Sequence, residues 1–119
     1  MFRNVKAYER PASIEDAVAL AQSTPNAAYI GGGAWTTAQA DPELETLIDL
    51  QDVGLDILET SFEQVRIGAV VNLQALIDHP DVGQMADGAL ATAAGLTQSR
   101  TLREQGSLGG TLIVGGPAD

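Results

Sequence analysis

The chain alternates short apolar runs with polar breaks marked by proline or glycine. Ser13 and Asp16, just after Pro11, form a helix-start signal, and Ile14, Ala17, Val18 and Ala21 recur at the spacing of one helical face. This helix is expected to end near Ser23–Thr24, ahead of the Pro25-Asn26 turn. Ala27, Ala28, Tyr29 and Ile30 make a short apolar run cut off by Gly31-Gly32-Gly33, the pattern of a buried strand feeding a glycine loop. Leu47–Leu50, after the break at Pro42, reads as a second such strand. Residues 1–53 are therefore expected to form a small β-α-β subdomain carrying a first glycine loop.

Past Asp52–Gly54 the texture changes, and residues 54–119 read as a second subdomain with a second glycine loop. Leu55–Glu59 predicts a strand. Val65, Ile67, Ala69 and Val71 alternate with Arg66, Gly68 and Val70, the period-2 signature of a half-buried antiparallel strand. Asn72 is placed to cap a helix whose Leu73, Leu76 and Ile77 share a face and which Pro80 closes. An Ala-rich helix is predicted over Ala86–Leu96. A polar segment with Arg100 and Arg103 follows, then a glycine turn at Gly109-Gly110 and a predicted strand over Thr111–Val114. The fold class is α+β: a β-α-β layer followed by part of a mixed or antiparallel α+β unit.

Composition narrows the chemistry. The 119 residues carry 16 acidic and 6 basic side chains, a formal net charge of -10, with no concentration of base. Binding to nucleic acid or to an anionic membrane surface is excluded on that ground. The absence of cysteine removes disulfides, thiolate catalysis and cysteine-held metal clusters from this chain. The start MFRNVKAYERP lacks an apolar signal core, and no window approaches a membrane span, so the cytoplasm is the default location. The single histidine, His79, sits before Pro80 on a polar turn with no partner nearby in sequence, and reads as exposed punctuation. No catalytic side chain and no metal site is expected.

What remains is the pair of glycine clusters. Glycine admits positive φ and close approach to peptide N–H groups, and successive N–H groups can form a nest for an anion such as phosphate. By themselves both clusters read first as plain turns at strand ends. The dinucleotide fingerprint is matched poorly: Gly31-x-Gly33-x-x-Thr36 lacks the third glycine. Asp49 lies where a ribose-binding acid would, but AWTTAQADPE is too short for a crossover helix of normal length.

Taken together, AYERPASIEDAVAL, YIGGGAWT, LIDL, VRIGAVVNLQAL and TLREQGSLGGTL resemble, in order, the segments of the FAD-binding medium subunit of the molybdenum hydroxylases, the xanthine dehydrogenase and carbon monoxide dehydrogenase type. The second loop, similar to Arg-Asn-x-Gly-Thr-Ile-Gly-Gly-Asn, carries the resemblance furthest. It implies the two-subdomain flavoprotein fold of the molybdopterin dehydrogenases, with FAD bound between the subdomains by both loops. The matching positions are Tyr29, Ile30, Gly31, Gly32, Gly33, Ala34, Trp35 and Thr36 in the first loop, and Ser107, Leu108, Gly109, Gly110 and Thr111 in the second. Asp119 stands near the family's cofactor-contacting aspartate, one residue short in spacing. In this picture the N–H groups of Gly32, Gly33, Gly109 and Gly110 face the pyrophosphate.

The chain also departs from the family. Ala34-Trp35 replaces a polar pair, so that Trp35 either stacks on a ring of the cofactor or fills a gap between subdomains. Arg103, the closer match to the family's loop-supporting arginine, either braces the loop or reaches the pyrophosphate. By resemblance the chain is an FAD-binding electron-transfer module passing electrons from iron–sulfur clusters through FAD to an external acceptor. Molybdenum cofactor and iron–sulfur clusters would reside on partner subunits, and a further chain would supply the rest of the subunit. The alternative is a truncated, non-catalytic interaction module of the same fold. If Thr111–Val114 is a strand, its open edge favours pairing with a second copy of the chain, giving a homodimer.

Overall fold

The computed structural model describes residues 2–97 and 99–115. Three strands, β1 (Ala7–Glu9), β2 (Ala27–Ile30) and β3 (Thr46–Asp49), form a parallel sheet in the order β1-β3-β2. Parallel neighbours need crossovers. The first is α1 (Ile14–Ser23), started by Ser13, whose Oγ accepts the Asp16 N–H at 3.1 Å. The second is α2 (Ala34–Gln39), a helix of only 6 residues that ends on a positive φ at Ala40. AWTTAQADPE thus does hold a crossover helix, shortened to fit between Gly33 and Pro42.

Every residue of the central strand β3 is buried, which is why Leu47 and Ile48 stand side by side instead of alternating with polar residues. Ile48 packs with Ala17 of α1 and with Val53, and Leu20 and Ala21 close the cluster. The buried face of α1 is Ala17, Leu20 and Ala21. Ile14 and Val18 stay exposed at 47% and 41%, so the face is rotated from the one the spacing suggested.

The second half begins with an antiparallel pair, β4 (Leu58–Thr60) and β5 (Val65–Ile67). Regular strand starts later than expected, at Leu58. The preceding backbone is still paired, however, since Ile57 and Leu55 accept the N–H groups of Gly68 and Val70. The expected alternation to Val71 is cut at Gly68, where the chain turns and a Cβ would overlap the Leu55 carbonyl.

Among the described residues five α-helices follow: α3 (Leu73–Asp78), α4 (Pro80–Gln84), α5 (Ala89–Leu96), α6 (Arg100–Gln105) and α7 (Leu108–Val114). Asn72 caps α3 as expected, its Oδ1 accepting the Ala75 N–H at 2.8 Å. Pro80 both ends α3 and opens α4, and His79 caps α4 by accepting the Val82 N–H on Nδ1 at 3.5 Å. The Ala-rich helix starts three residues late because Ala86, Asp87 and Gly88 take positive φ in a 3-10 turn. Leu73 and Leu76 of α3, Val82 of α4, Ala94 of α5 and Val71 form the second core, with Leu58, Val65 and Ile67 of the hairpin packed against it.

The expected strand Thr111–Val114 is a correction: it is the body of α7. Four residues carry no usable periodicity, and β-branched side chains only bias the outcome. The contacts at its start decide, for Leu108 and Gly109 donate to the distant Val71 and Ala69 carbonyls and a cap follows. Ser107 Oγ accepts the Gly110 N–H at 3.1 Å, and Thr111 returns its hydroxyl to the Ser107 carbonyl at 2.9 Å. Without a strand there is no open edge at Leu108–Val114, and the strand-edge argument for a homodimer falls with it.

Candidate functional site

Ile30 is the last residue of β2, so Gly31-Gly32-Gly33 leaves the carboxyl end of a parallel sheet, the end at which α/β sheets bind ligands. Gly33 turns the chain into α2 with φ +85°, a conformation open to glycine at little cost. The N–H groups of Gly32 and Gly33 have no hydrogen-bond partner among the described residues.

The second loop, Ser107–Thr111, lies directly against the first. A Cβ on Gly31 would come 3.2 Å from Ser107 Oγ, and one on Gly32 would overlap the Gln105 carbonyl. The two glycine clusters, widely separated in sequence, thus meet in space.

Their donors differ. Leu108 N–H donates to Val71 O and Gly109 N–H to Ala69 O, both at 2.8 Å. Gly110 N–H donates to Ser107 Oγ and Thr111 N–H to Ser107 O. The N–H groups at Gly109 and Gly110, expected to face a phosphate, are engaged within the chain. At Gly109 the glycine has a packing reason, since a Cβ there would sit 2.9 Å from both Ala69 Cβ and Ala69 O.

Beside the loops is a cleft of about 310 Å3 lined by Gly31, Gly32, Gln51, Asp52, Asp56, Val70, Asn72, Glu104 and Gln105. Among the described residues no lysine or arginine lines it. Arg10 neutralises Asp52 through two hydrogen bonds of 3.0 and 2.9 Å, and Arg100 pairs with Glu104 at 3.2 Å. Any anion here is therefore held by neutral donors. Arg103 turns elsewhere: its Nε donates to Gln74 Oε1 at 3.1 Å and its Nη1 to the Gly95 carbonyl at 3.2 Å, joining α6 to α3 and α5. That is the geometry of a brace.

Asp49, the residue placed where a ribose-binding acid would be, is 3% exposed and faces inward. It accepts a hydrogen bond from the Tyr8 hydroxyl and, on Oδ1, the Gln51 N–H at 2.9 Å. Gln51 in turn donates its side-chain amide to the Gly31 carbonyl at 3.4 Å. This chain of contacts ties β1 and β3 to the first loop. The Asp49 hydrogen bond, then burial, then the Asp49 charge raise the Tyr8 hydroxyl above its ordinary 10.0. Tyr8, Gln51 and Asp56 were missed as site neighbours because they lie outside any glycine cluster. The one signal was Tyr8 itself, a polar-tipped aromatic on a short strand.

Of the remaining expected site residues, Ile30, Ala34 and Thr36 are half-buried around α2. Tyr29 and Trp35 are exposed at 44% and 52% and flank a separate groove of about 560 Å3. Among the described residues Trp35 packs into neither core cluster. Asp119 lies outside the described residues.

A family model described as the FAD binding domain in molybdopterin dehydrogenase matches residues 2–119. The chain belongs to this family. It is 34% identical over 114 residues to the aldehyde oxidoreductase FAD-binding subunit PaoB of Escherichia coli, covering 89% of this chain and 34% of that protein. It is 32% identical over 117 residues to the nicotine 6-hydroxylase medium subunit of Paenarthrobacter nicotinovorans, covering 93% and 40%. Among solved structures, carbon monoxide dehydrogenase from Hydrogenophaga pseudoflava superposes with a TM-score of 0.86 at 29% identity, over 98% of this chain and 42% of that one. The chain thus spans between a third and about two fifths of the length of these relatives. The fold is that of the molybdopterin dehydrogenase FAD-binding domain, and FAD is the cofactor the family binds.

The residues present suit part of that cofactor. The N–H groups of Gly32 and Gly33, without partners among the described residues, and the Ser107 hydroxyl beside Gly31 are neutral donors of the kind a diphosphate diester takes, with the Asp56 carboxylate lining the adjacent cleft. A cleft of about 310 Å3 is at the small end for a ligand site and holds a fraction of a dinucleotide.

Proposed function

We propose that this chain is the FAD-binding portion of a molybdenum hydroxylase's flavin subunit and that its first loop holds the pyrophosphate. The observation that carries the reading is the pair of N–H groups at Gly32 and Gly33 that have no partner among the described residues, in a chain that matches the family over residues 2–119. When bound, FAD would supply the redox chemistry between iron–sulfur clusters on a partner subunit and an external acceptor. The protein's own residues position it. Gly32 and Gly33 would donate to phosphate oxygens and Ser107 would add a hydroxyl, while the Tyr8–Asp49–Gln51 contacts hold the loop from behind. The protein moves no proton in this scheme. Partners that carry the molybdenum and iron–sulfur centres, and a cytoplasmic location, belong to the same proposal.

A second reading, a non-catalytic interaction module of the same fold, draws support from the exposed apolar side chains of α7. Leu112 and Ile113 are 74% and 88% exposed. Equilibrium dialysis of the 119-residue chain against FAD separates the two. Saturable binding competed by ADP, in the range of about 1 mM or tighter, is expected from a pyrophosphate cradle. No retention of FAD at that concentration overturns the FAD reading and leaves the interaction module.

A further inference from the structure

Trp35 is the chain's single tryptophan, placed two positions after Gly33 in the first turn of α2. Half of it faces solvent, and its indole N–H has no partner among the described residues. Tyr29, also exposed and also without a hydrogen-bond partner for its hydroxyl among those residues, lines the same groove. Leu44, only 6% exposed, also lines it, and Thr36, Gln39 and Asp41 add polar atoms. A groove of about 560 Å3 with two aromatic side chains and a few polar groups has the make-up of a small-molecule subsite. Two unpartnered aromatics beside a loop with free donors serve no core: Trp35 and Tyr29 belong to neither packed cluster.

We propose that this groove is a ring-stacking subsite, in which a planar heteroaromatic ring of the bound nucleotide lies against the indole of Trp35. The proposal rests on the pyrophosphate reading of the first loop and extends it to a ring. Trp35 follows Gly33 by two residues, so their Cα atoms are at most about 7 Å apart, a separation that the nucleoside attached to a phosphate at Gly32 and Gly33 can span. An indole offers a large polarisable face to any flat ring, so stacking suits adenine and isoalloxazine alike. The phosphates are held by backbone, whereas the ring is held by a side chain, so the two contributions separate by mutation.

A single tryptophan gives a single indole N–H signal in a nitrogen-15 correlation spectrum of the intact chain. Titration with FAD is expected to shift that signal through the ring current of the stacked ligand, with the same saturation as the Gly32 and Gly33 amides. FMN and ADP, titrated separately, assign the ring: the one that reproduces the indole shift carries it. Inorganic pyrophosphate is expected to shift the two glycine amides and leave the indole in place. Trp35→Leu should weaken binding of the stacking ligand about tenfold, and Trp35→Phe should recover most of that loss. If FAD shifts the glycine amides while the indole signal stays fixed and Trp35→Leu binds as wild type, the ring subsite is overturned and the pyrophosphate reading survives. If FAD shifts neither, both fall.

Discussion

The two glycine loops look alike as strings and behave differently in space. Gly31-Gly32-Gly33 ends a parallel strand, turns on a positive φ and leaves adjacent N–H groups without partners among the described residues. Gly109-Gly110 lies in the first turn of a helix, where Ala69 and Ser107 already accept its N–H groups. In the first loop glycine exposes backbone. In the second it lets backbone pack against backbone. A glycine pair therefore signals close approach without saying whether the approaching group is a ligand or the protein itself.

The contrast is sharpest at the contact between the loops. Gly32→Ala places its Cβ onto the Gln105 carbonyl, a backbone atom that cannot rotate away, so the loops must part. A loss of about 3 kcal/mol is expected in urea unfolding, at the upper end for overpacking. Gly109→Ala meets Ala69 Cβ and O at 2.9 Å, an overlap that still forces a shift but is smaller than the one at Gly32, and should cost less, about 1–2 kcal/mol. Equal stability of Gly32→Ala and wild type would show that the loops do not touch.

Behind the first loop, Tyr8→Phe leaves the buried Asp49 carboxylate with one donor fewer. The expected loss is about 1–2 kcal/mol at neutral pH. The pH dependence has a definite sign. The Tyr8 hydroxyl is raised above 10.0 in the folded chain, so its contribution is fully present below pH 10.0 and fades as pH climbs through the folded-state value. Unfolding midpoints of wild type and Tyr8→Phe should differ at neutral pH and converge in strong alkali. A constant difference across that range would rule out the bond to Asp49 as its source.

The smallest effect is expected at Gly33. Its φ of +85° strains any Cβ, but the nearest atom is Ile30 Cδ1 at 3.1 Å, the mobile end of a side chain. Gly33→Ala should cost about 1 kcal/mol and leave the Gly32 N–H accessible. Thermal melts give the first number and FAD dialysis the second. A loss as large as that of Gly32→Ala would mean the turn, not the loop contact, organises this region.

Much of this architecture was legible in short-range chemistry. The caps at Ser13 and Asn72 act within three residues, so the starts of α1 and α3 could be read directly. The apolar run Leu47–Ile48 marked a buried strand, because only a strand covered on both faces tolerates adjacent large side chains. The pattern of loops also carried the family, which the match over residues 2–119 bears out.

What the chain's local pattern left open was decided by groups far away in sequence. Thr111–Val114 fits a strand or a helix, and the contacts of Leu108 and Gly109 with Val71 and Ala69, together with the Ser107 cap, made it α7. Asp49 stands where a ribose-binding acid would, until Tyr8, 41 positions earlier, is seen to hold it inside. Whether a glycine N–H is free depends on which carbonyl lies opposite, and Trp35 is a plug or a platform according to what packs across it. Caps and hydrophobic runs are contacts between sequence neighbours, so the sequence determined them. Free donors and exposed rings are defined by partners that only tertiary packing brings near or keeps away.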